Sequence, residues 1–247
     1  MCYNVNQEGE QLEIDFADEF KAKRGKKTAI KNTGYHLNGF AHPKLVVLAN
    51  DKPDELQEME WGLIPFWVKS VEQAADIANK TLNAKSETIF ELPSFRAAIL
   101  KRRCIIPVNG FYEWRHYEKK TYPYFIYPKE RSYFCLGGIW EEWTDKESGE
   151  IKKTCSIITT PANQLMEQIH NTKKRMPFIM DITKAKKWIS PELKKQDIED
   201  LMKPFHAKGM ESHTVSRLLT SRVEDSDVPE VILMEKYEEL PEMMMNF

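Results

Sequence analysis

Cysteine stands at position 2, directly behind Met1. Removal of that methionine exposes an amine and a thiol on adjacent carbons, a 1,2-aminothiol. An α-amine titrates near ~8 and a lysine amine near ~10.4, so at neutral pH roughly a few hundred times more of the terminus is in its nucleophilic form. An aldehyde meeting this terminus forms a Schiff base. The thiol then closes a five-membered thiazolidine, favoured by the high effective molarity of an intramolecular attack. Two other readings of Cys2 stay open on position alone. It can be a start residue that packs as a small hydrophobe, or the nucleophile of an N-terminal hydrolase that uses its own amine as base on a small amide or peptide.

Further along, Gly110-Phe111-Tyr112-Glu113-Trp114 sets an acid among aromatics. A half-buried carboxylate there acquires a raised pKa, which suits acid/base work near neutrality; the bland alternative is a surface carboxylate on an edge strand. His170-Asn171 sits at a helix end, followed by the basic Arg175-Met176-Pro177. An isolated histidine of this kind is as a rule structural. Trp61-Gly62-Leu63-Ile64-Pro65-Phe66-Trp67 puts two indoles around a Gly/Pro turn, and Leu82-Asn83-Ala84-Lys85-Ser86-Glu87-Thr88 packs polar groups densely before an apolar stretch. Neither is a common core pattern.

The elements that must position these residues are those of an α+β domain. Helical spacing covers Glu13 to Lys23, Val71 to Lys80, Pro93 to Lys101, Pro161 to Ile169, Thr183 to Trp188 and Pro191 to Met202. Aromatic and β-branched runs predict strands at Leu45 to Ala49, Cys104 to Val108, Tyr122 to Tyr127, Tyr133 to Trp140, Thr154 to Thr160 and Thr214 to Leu219, with a hairpin tip at Asp145 to Gly149. Regular βαβ alternation is lacking, so the expectation is a single domain around a curved, mostly antiparallel, barrel-like sheet flanked by helices.

At 247 residues, 41% hydrophobic and 11% aromatic, the chain can bury a real core. No apolar run reaches the ~18 residues of a membrane span and no secretory pattern opens the sequence, so a cytoplasmic protein is expected. Cys2, Cys104, Cys135 and Cys155 show no C-x-x-C spacing, arguing against disulfides and structural zinc. With no G-x-G-x-x-G and no Walker motif, no cofactor is expected. Charge is uneven: residues 224–247 hold eight acids and one base, so the first 223 carry a net +5 although the whole chain is at −2. Lys21 to Lys27, Lys101-Arg102-Arg103 and Lys173-Lys174-Arg175 are candidate phosphate-binding runs, each equally readable as solvated surface.

In order, Met1-Cys2, Trp61 to Trp67, Asn83 to Thr88, Pro93 to Trp114, and His170 with Arg175-Met176-Pro177 resemble the SRAP family, the SOS response-associated peptidase or abasic site processing proteins. The resemblance runs from Met1 to about Arg217. It implies an SRAP domain over residues 2–223, an acidic Met-rich tail over 224–247, and covalent capture of abasic sites in single-stranded DNA through Cys2, with self-processing peptidase-like and weak lyase activity. By the same resemblance Asn83 holds the terminus or sugar, Glu113 is acid/base beside the Cys2 amine, and His170 moves protons at the sugar oxygen. Trp67 stacks on a neighbouring base, Lys85 and Arg175 meet phosphates, and Thr159 lines the pocket. An abasic site has no base to read, so phosphate contacts and stacking must supply recognition.

The chain departs from that pattern at four points. It begins Met1-Cys2-Tyr3-Asn4 where relatives often have glycine and arginine after the cysteine. Lys85 stands for an arginine and loses the bidentate fork. Tyr35-His36-Leu37-Asn38-Gly39 replaces a Tyr-Asn-x-x-Pro segment, and three extra residues separate His170 from Arg175.

Overall fold

A computed structural model of the chain describes residues 2–24, 34–221 and 223–244. The first part runs β1 (Asn4–Gln7), α1 (Glu10–Phe20), β2 (Gly34–Asn38), β3 (Lys44–Ala49), β4 (Leu56–Trp61), α2 (Val71–Lys80), β5 (Asn83–Lys85) and α3 (Arg96–Lys101). Four long strands follow: β6 (Arg103–Val108), β7 (Gly110–Tyr117), β8 (Lys120–Pro128) and β9 (Phe134–Thr144). The chain continues through β10 (Ile151–Pro161), α4 (Gln164–Ile169), β11 (Arg175–Pro177), β12 (Ile179–Met180), α5 (Ile182–Trp188), α6 (Lys195–Leu201) and β13 (Met210–Thr214).

The strands make two sheets. One is antiparallel in the order β13-β8-β7-β1-β2. In the other, β10 pairs with β4, β4 with β3, β3 with β6, β6 with β9, and β9 back with β10, so five strands close into a barrel. Closure removes the exposed edges that an open sheet would have to protect. β5 and β11 extend it along the far end of β10.

Side-chain alternation explains the layers. Leu45 and Val47 of β3, Cys104 and Ile106 of β6, Leu136 of β9 and Ile157 of β10 share one buried cluster with Cys2, Val5, Phe111 and Tyr122. One residue out of phase, Val46, Leu48, Ile105, Ile139 and Ile158 pack instead with Phe16, Ile99, Trp188 and Ile198 from the helices. The barrel is therefore apolar on both faces, shared on one side with the antiparallel sheet and covered on the other by α1, α3, α5 and α6. Fully burying each such aliphatic or aromatic side chain contributes roughly 1.5–3 kcal/mol.

The α+β class, the single domain, the helix at 71–80 and the hairpin tip at 145–149 agree with the sequence expectations. Thr214 to Leu219 differs: the strand lies at Met210–Thr214, and 217–220 is a short 3-10 turn capped by Ser216 Oγ, which accepts from Leu218 N. The pairing of this strand with β8 runs from Met210–Pro128 to Thr214–Tyr124, while β8 itself extends on to Lys120. Residues 93–95 lie outside the third helix, which starts at Arg96. The run Lys101-Arg102-Arg103 is no solvated patch. Arg103 is fully buried and donates to the carbonyls of Ile99, Leu100, Trp188 and Ser190, while Arg102 pairs with Glu141 at 2.6 Å. Residues 25–27 of the Lys21 to Lys27 run lie outside the described residues. No helix among the described residues is long and apolar enough to cross a membrane.

Candidate active site

Residue 2 precedes β1 and is fully buried within the cluster shared by the two sheets. What holds it is a side chain 81 positions away: Asn83 Nδ2 donates to the Cys2 carbonyl at 2.9 Å. Asn83 is itself fixed from both sides. The indole of Trp61 donates to the Leu82 carbonyl at 2.8 Å, and β5 lies parallel to β10 with Asn83 opposite Ile157 and Lys85 opposite Thr159. On the other flank of Cys2, the Tyr3 carbonyl accepts from Gly39 N at 2.8 Å.

Glu113 lies on β7 and is 4% exposed. Burial pushes its carboxyl up to about 7, against the opposing pull of the chain's positive amino terminus. Such a group exchanges its proton near neutrality. The Cys2 thiol is also driven well above the ordinary thiol range, by burial and then by the negative charge of Glu113. It rests as a neutral thiol, its Sγ 3.9 Å from the Asn4 carbonyl, and needs a base to become a nucleophile.

His170 is the C-cap of α4, whose N-terminus is fixed by Asn163: its Oδ1 accepts from Met166 N at 2.9 Å. Burial, with the amino terminus adding to it, pulls the imidazole down to about 4, so the ring is neutral near pH 7. Nδ1 lies 2.9 Å from the Arg175 carbonyl, an acceptor only, so Nδ1 carries the proton and Nε2 keeps the basic lone pair. The same Nδ1 is 3.8 Å from Glu113 Oε1.

The extra residues between His170 and Arg175 form a closed loop. Lys174, in the left-handed conformation at φ 50°, donates its N–H to the His170 carbonyl at 2.8 Å, and its own carbonyl accepts from Ala162 N at 3.0 Å. The insertion thus leaves Arg175 beside His170, at the start of β11 and opposite Pro161 of β10.

The Arg175 guanidinium is enclosed by protein. Both of its terminal nitrogens donate to the Glu87 carboxylate, one of them at 2.9 Å, and Nη2 also donates to the Thr159 carbonyl at 2.6 Å and hydroxyl at 3.1 Å. Those bonds hold the Glu87 carboxyl below its ordinary value in spite of partial burial. Thr159 is fully buried, whereas Lys85, opposite it on β5, is exposed.

The two indoles of the Trp61 to Trp67 segment separate cleanly. Trp61 is buried and braces Asn83; Trp67 is 45% exposed beside Phe66 at 60%. The turn between them needs Gly62, whose φ is +123° and whose place a Cβ could take only by meeting His42 Nδ1 at 2.7 Å and the Ala78 carbonyl at 2.9 Å. Ile64 N, donating to Thr154 Oγ1 at 2.9 Å, pins the turn to β10.

Cys2, Asn83, Glu113 and His170 therefore meet at one buried point, with Thr159 and Arg175 one strand away and Lys85 and Trp67 at the surface. A family model described as SOS response associated peptidase (SRAP) matches residues 1–222. The chain belongs to the SRAP family. Its SRAP domain is 38% identical over 190 residues to the abasic site processing protein YoqW of Bacillus subtilis, covering 76% of this chain and 80% of that one. It is 30% identical to the abasic site processing protein HMCES of Gallus gallus, covering 72% of this chain and 57% of that protein. A solved structure of a Bacteroides thetaiotaomicron protein superposes with a TM-score of 0.88 at 36% identity, over 95% of this chain and all of that one. A Bordetella bronchiseptica structure at 22% identity shares the fold, with a TM-score of 0.74 over 87% of this chain and all of that one.

Two neighbours of the site were not legible in the sequence. Glu87 stands inside the polar segment quoted for Asn83 and Lys85, but nothing in the sequence says that it faces Arg175. Phe40, 54% exposed with its ring centroid 5.0 Å from that of Tyr3, left no signal at all. Two departures from the family pattern prove to be neighbours: Asn4 Oδ1 lies 2.8 Å from His36 Nε2. Among the described residues no group of three or more His, Cys, Asp or Glu could hold a metal ion.

Proposed function

We propose that this SRAP protein captures abasic sites in single-stranded DNA as a covalent thiazolidine, shielding the lesion during the DNA damage response. The observation that carries the reading is the convergence of Asn83, Glu113 and His170 on a buried Cys2. The domain assignment we propose with it is an SRAP domain over 2–223 followed by an acidic segment over 224–247, whose described residues pack against that domain.

The chemistry follows from the states of the groups. With Met1 removed by hydrolysis of its peptide bond, the Cys2 α-amine is the strongest nucleophile near neutrality. The ring-opened deoxyribose of an abasic site offers C1′ as an aldehyde. His170, neutral with Nε2 unprotonated, takes and returns the proton of the sugar hydroxyl as the ring opens. The amine attacks C1′, and loss of the carbinolamine oxygen as water gives the Schiff base. Glu113, poised near 7, supplies that proton and then accepts the one from the Cys2 thiol. Sulfur adds to the imine carbon, the nitrogen regains a proton, and the thiazolidine closes with no net redox change. Asn83 holds the Cys2 carbonyl so that amine and thiol are presented together.

Recognition rests on Trp67 stacking against a base beside the lesion and on Lys85 and Arg175 at phosphates, with Thr159 shaping the pocket. The place of action is the cytoplasm, on nucleoid DNA. A Schiff base that forms without ring closure would allow β-elimination, which is the origin we assign to weak lyase activity. The names of the relatives YoqW and HMCES support abasic-site processing as the task. The test is incubation of the purified, Met-trimmed protein with single-stranded DNA carrying one abasic site. Wild type should give a denaturation-resistant adduct and Cys2→Ala should give none that survives heating. Absence of the adduct from wild type, with turnover of a small amide instead, would favour an N-terminal hydrolase.

A further inference from the structure

The open edge of β7 carries a contact that the mechanism above does not use. β7 pairs with β8 along its whole length, from Phe111–Ile126 to Tyr117–Lys120, but on its other side β1 reaches only Gly110 and Phe111. Beyond that point the outward main-chain groups of β7 meet no further strand among the described residues. At His116 their place is taken by one side chain. Asn171 Oδ1 accepts from His116 N at 3.1 Å and Asn171 Nδ2 donates to His116 O at 2.8 Å. A carboxamide carries the same donor and acceptor as a peptide unit, so Asn171 acts as a one-residue strand on that edge.

Its location gives the contact a consequence. Asn171 follows His170 directly, and His116 lies three residues beyond Glu113 on the same strand. The clamp therefore joins the two elements that carry the acid–base pair, α4 and β7. The ring is held on its other side by the Arg175 carbonyl at 2.9 Å, and the loop behind it is closed by Lys174 N on the His170 carbonyl. Asn171 ties the main chain of the His170 turn to the main chain of the strand of Glu113, alongside the approach of His170 Nδ1 to Glu113 Oε1 at 3.8 Å.

Resting on the function proposed above, we propose that Asn171 is a positioning residue, clamping β7 to set the separation between His170 and Glu113. It touches neither DNA nor the reacting atoms. The sequence carried this pairing as His170-Asn171, but nothing in it showed that the asparagine reaches a strand 55 positions away.

The test compares wild type, Asn171→Ala, His170→Ala and the double variant in single-turnover adduct formation with saturating abasic single-stranded DNA. A displacement of about 1 Å at the pair is enough to slow Asn171→Ala by roughly tenfold or more. Affinity for intact single-stranded DNA should stay within about twofold, and the substitution should add nothing on the His170→Ala background. Asn171→Asp keeps the acceptor for His116 N and loses the donor to His116 O, so it should fall between; it replaces Asn171→Ala if that variant fails to fold.

A second readout does not depend on the adduct. The imidazole of His170, followed by nitrogen NMR, titrates in the presence of Glu113 and His116 on β7, Arg175 on β11 and the amino terminus. Loosening the clamp admits water to the ring, and its midpoint should rise toward that of an ordinary histidine. An unchanged midpoint, an unchanged rate, or losses that multiply with those of His170→Ala would each overturn the proposal. Wild type that makes no adduct refutes the proposed function, and the titration then decides the clamp by itself.

Discussion

The side-chain amide of Asn83 donates to the carbonyl of Cys2 across 2.9 Å, joining a three-residue strand to the segment that leads into β1. In the proposed mechanism this bond fixes the α-carbon whose amine and thiol act in succession. Asn83→Asp offers only acceptors to that carbonyl and should slow adduct formation by roughly tenfold to a hundredfold, as expected when a reacting group loses its orientation. Single-turnover kinetics with abasic single-stranded DNA measure it; a rate equal to wild type would mean that Cys2 is held by its surroundings alone.

Glu113 and His170 have opposite effects on stability as pH changes. The native Glu113 carboxyl, raised from 4.5 to about 7, keeps a proton that the unfolded chain has lost, so its contribution to stability falls as pH rises through that window. The native His170 ring, lowered from 6.5 to about 4, lacks a proton that the unfolded chain binds, so its contribution rises with pH from about 4 to 6.5. Relative to wild type, Glu113→Gln should gain thermal stability as pH rises from 4.5 to 7. His170→Ala should lose it from 4 to 6.5. Melting temperatures across pH 4 to 7.5 check both signs, and parallel curves for the three proteins would contradict them.

In the proposed function, a phosphate at Arg175 must compete with the Glu87 carboxylate that the guanidinium already holds. Replacing Glu87 by Gln removes the carboxylate that neutralises the guanidinium, so the affinity for single-stranded DNA should rise by a few fold at low salt. Arg175→Ala should lower it and reduce the steepness of the salt dependence. Fluorescence anisotropy over a salt series is the measurement. If Glu87→Gln binds more weakly than wild type, the carboxylate holds Arg175 in its working position.

The two tryptophans flanking Gly62 should fail in different ways. Trp67→Ala removes an exposed ring and should weaken DNA binding by about 1–3 kcal/mol with little change in melting temperature. Trp61→Ala empties a fully buried site, withdraws the support of Asn83, and should cost about 3–5 kcal/mol of stability. Equal effects of the two substitutions on melting temperature would place Trp67 in the core.

The C-terminal segment is built into the molecule as far as Met244. Tyr237, Leu240 and Met243 pack on the main cluster, Arg217 lies over the rings of Tyr122 and Tyr237, and Gln168 exchanges two hydrogen bonds with the main chain of Met244. Truncation after Met234 should therefore lower the melting temperature by several degrees. An unaltered melting curve would show that these contacts contribute nothing in solution.

Much of the site was legible in the sequence because its chemistry is carried by residue types: a cysteine behind Met1, an acid among aromatics, a histidine at a helix end. The strand and helix periods likewise gave the α+β class, since alternation and 3.6-residue spacing are local properties of the chain. Seven strands escaped, four of them because their cues are too short or too polar: β5, β11 and β12 have two or three residues each, and β1 reads Asn-Val-Asn-Gln. Such strands exist only because β10, β9 and β7 offer them edges.

The sequence by itself determined which groups can react and, through its ordered segments, the family to which they belong. The tertiary structure decided their protonation states and their partners. Burial sets Glu113 near 7 and His170 near 4, and no local pattern encodes how much water the fold will remove from a side chain. Closure of the barrel and the parallel seam between β5 and β10 brought residues 2, 83, 113 and 170 together; contacts between positions so far apart arise from packing, where each element finds its neighbour only after the others are in place.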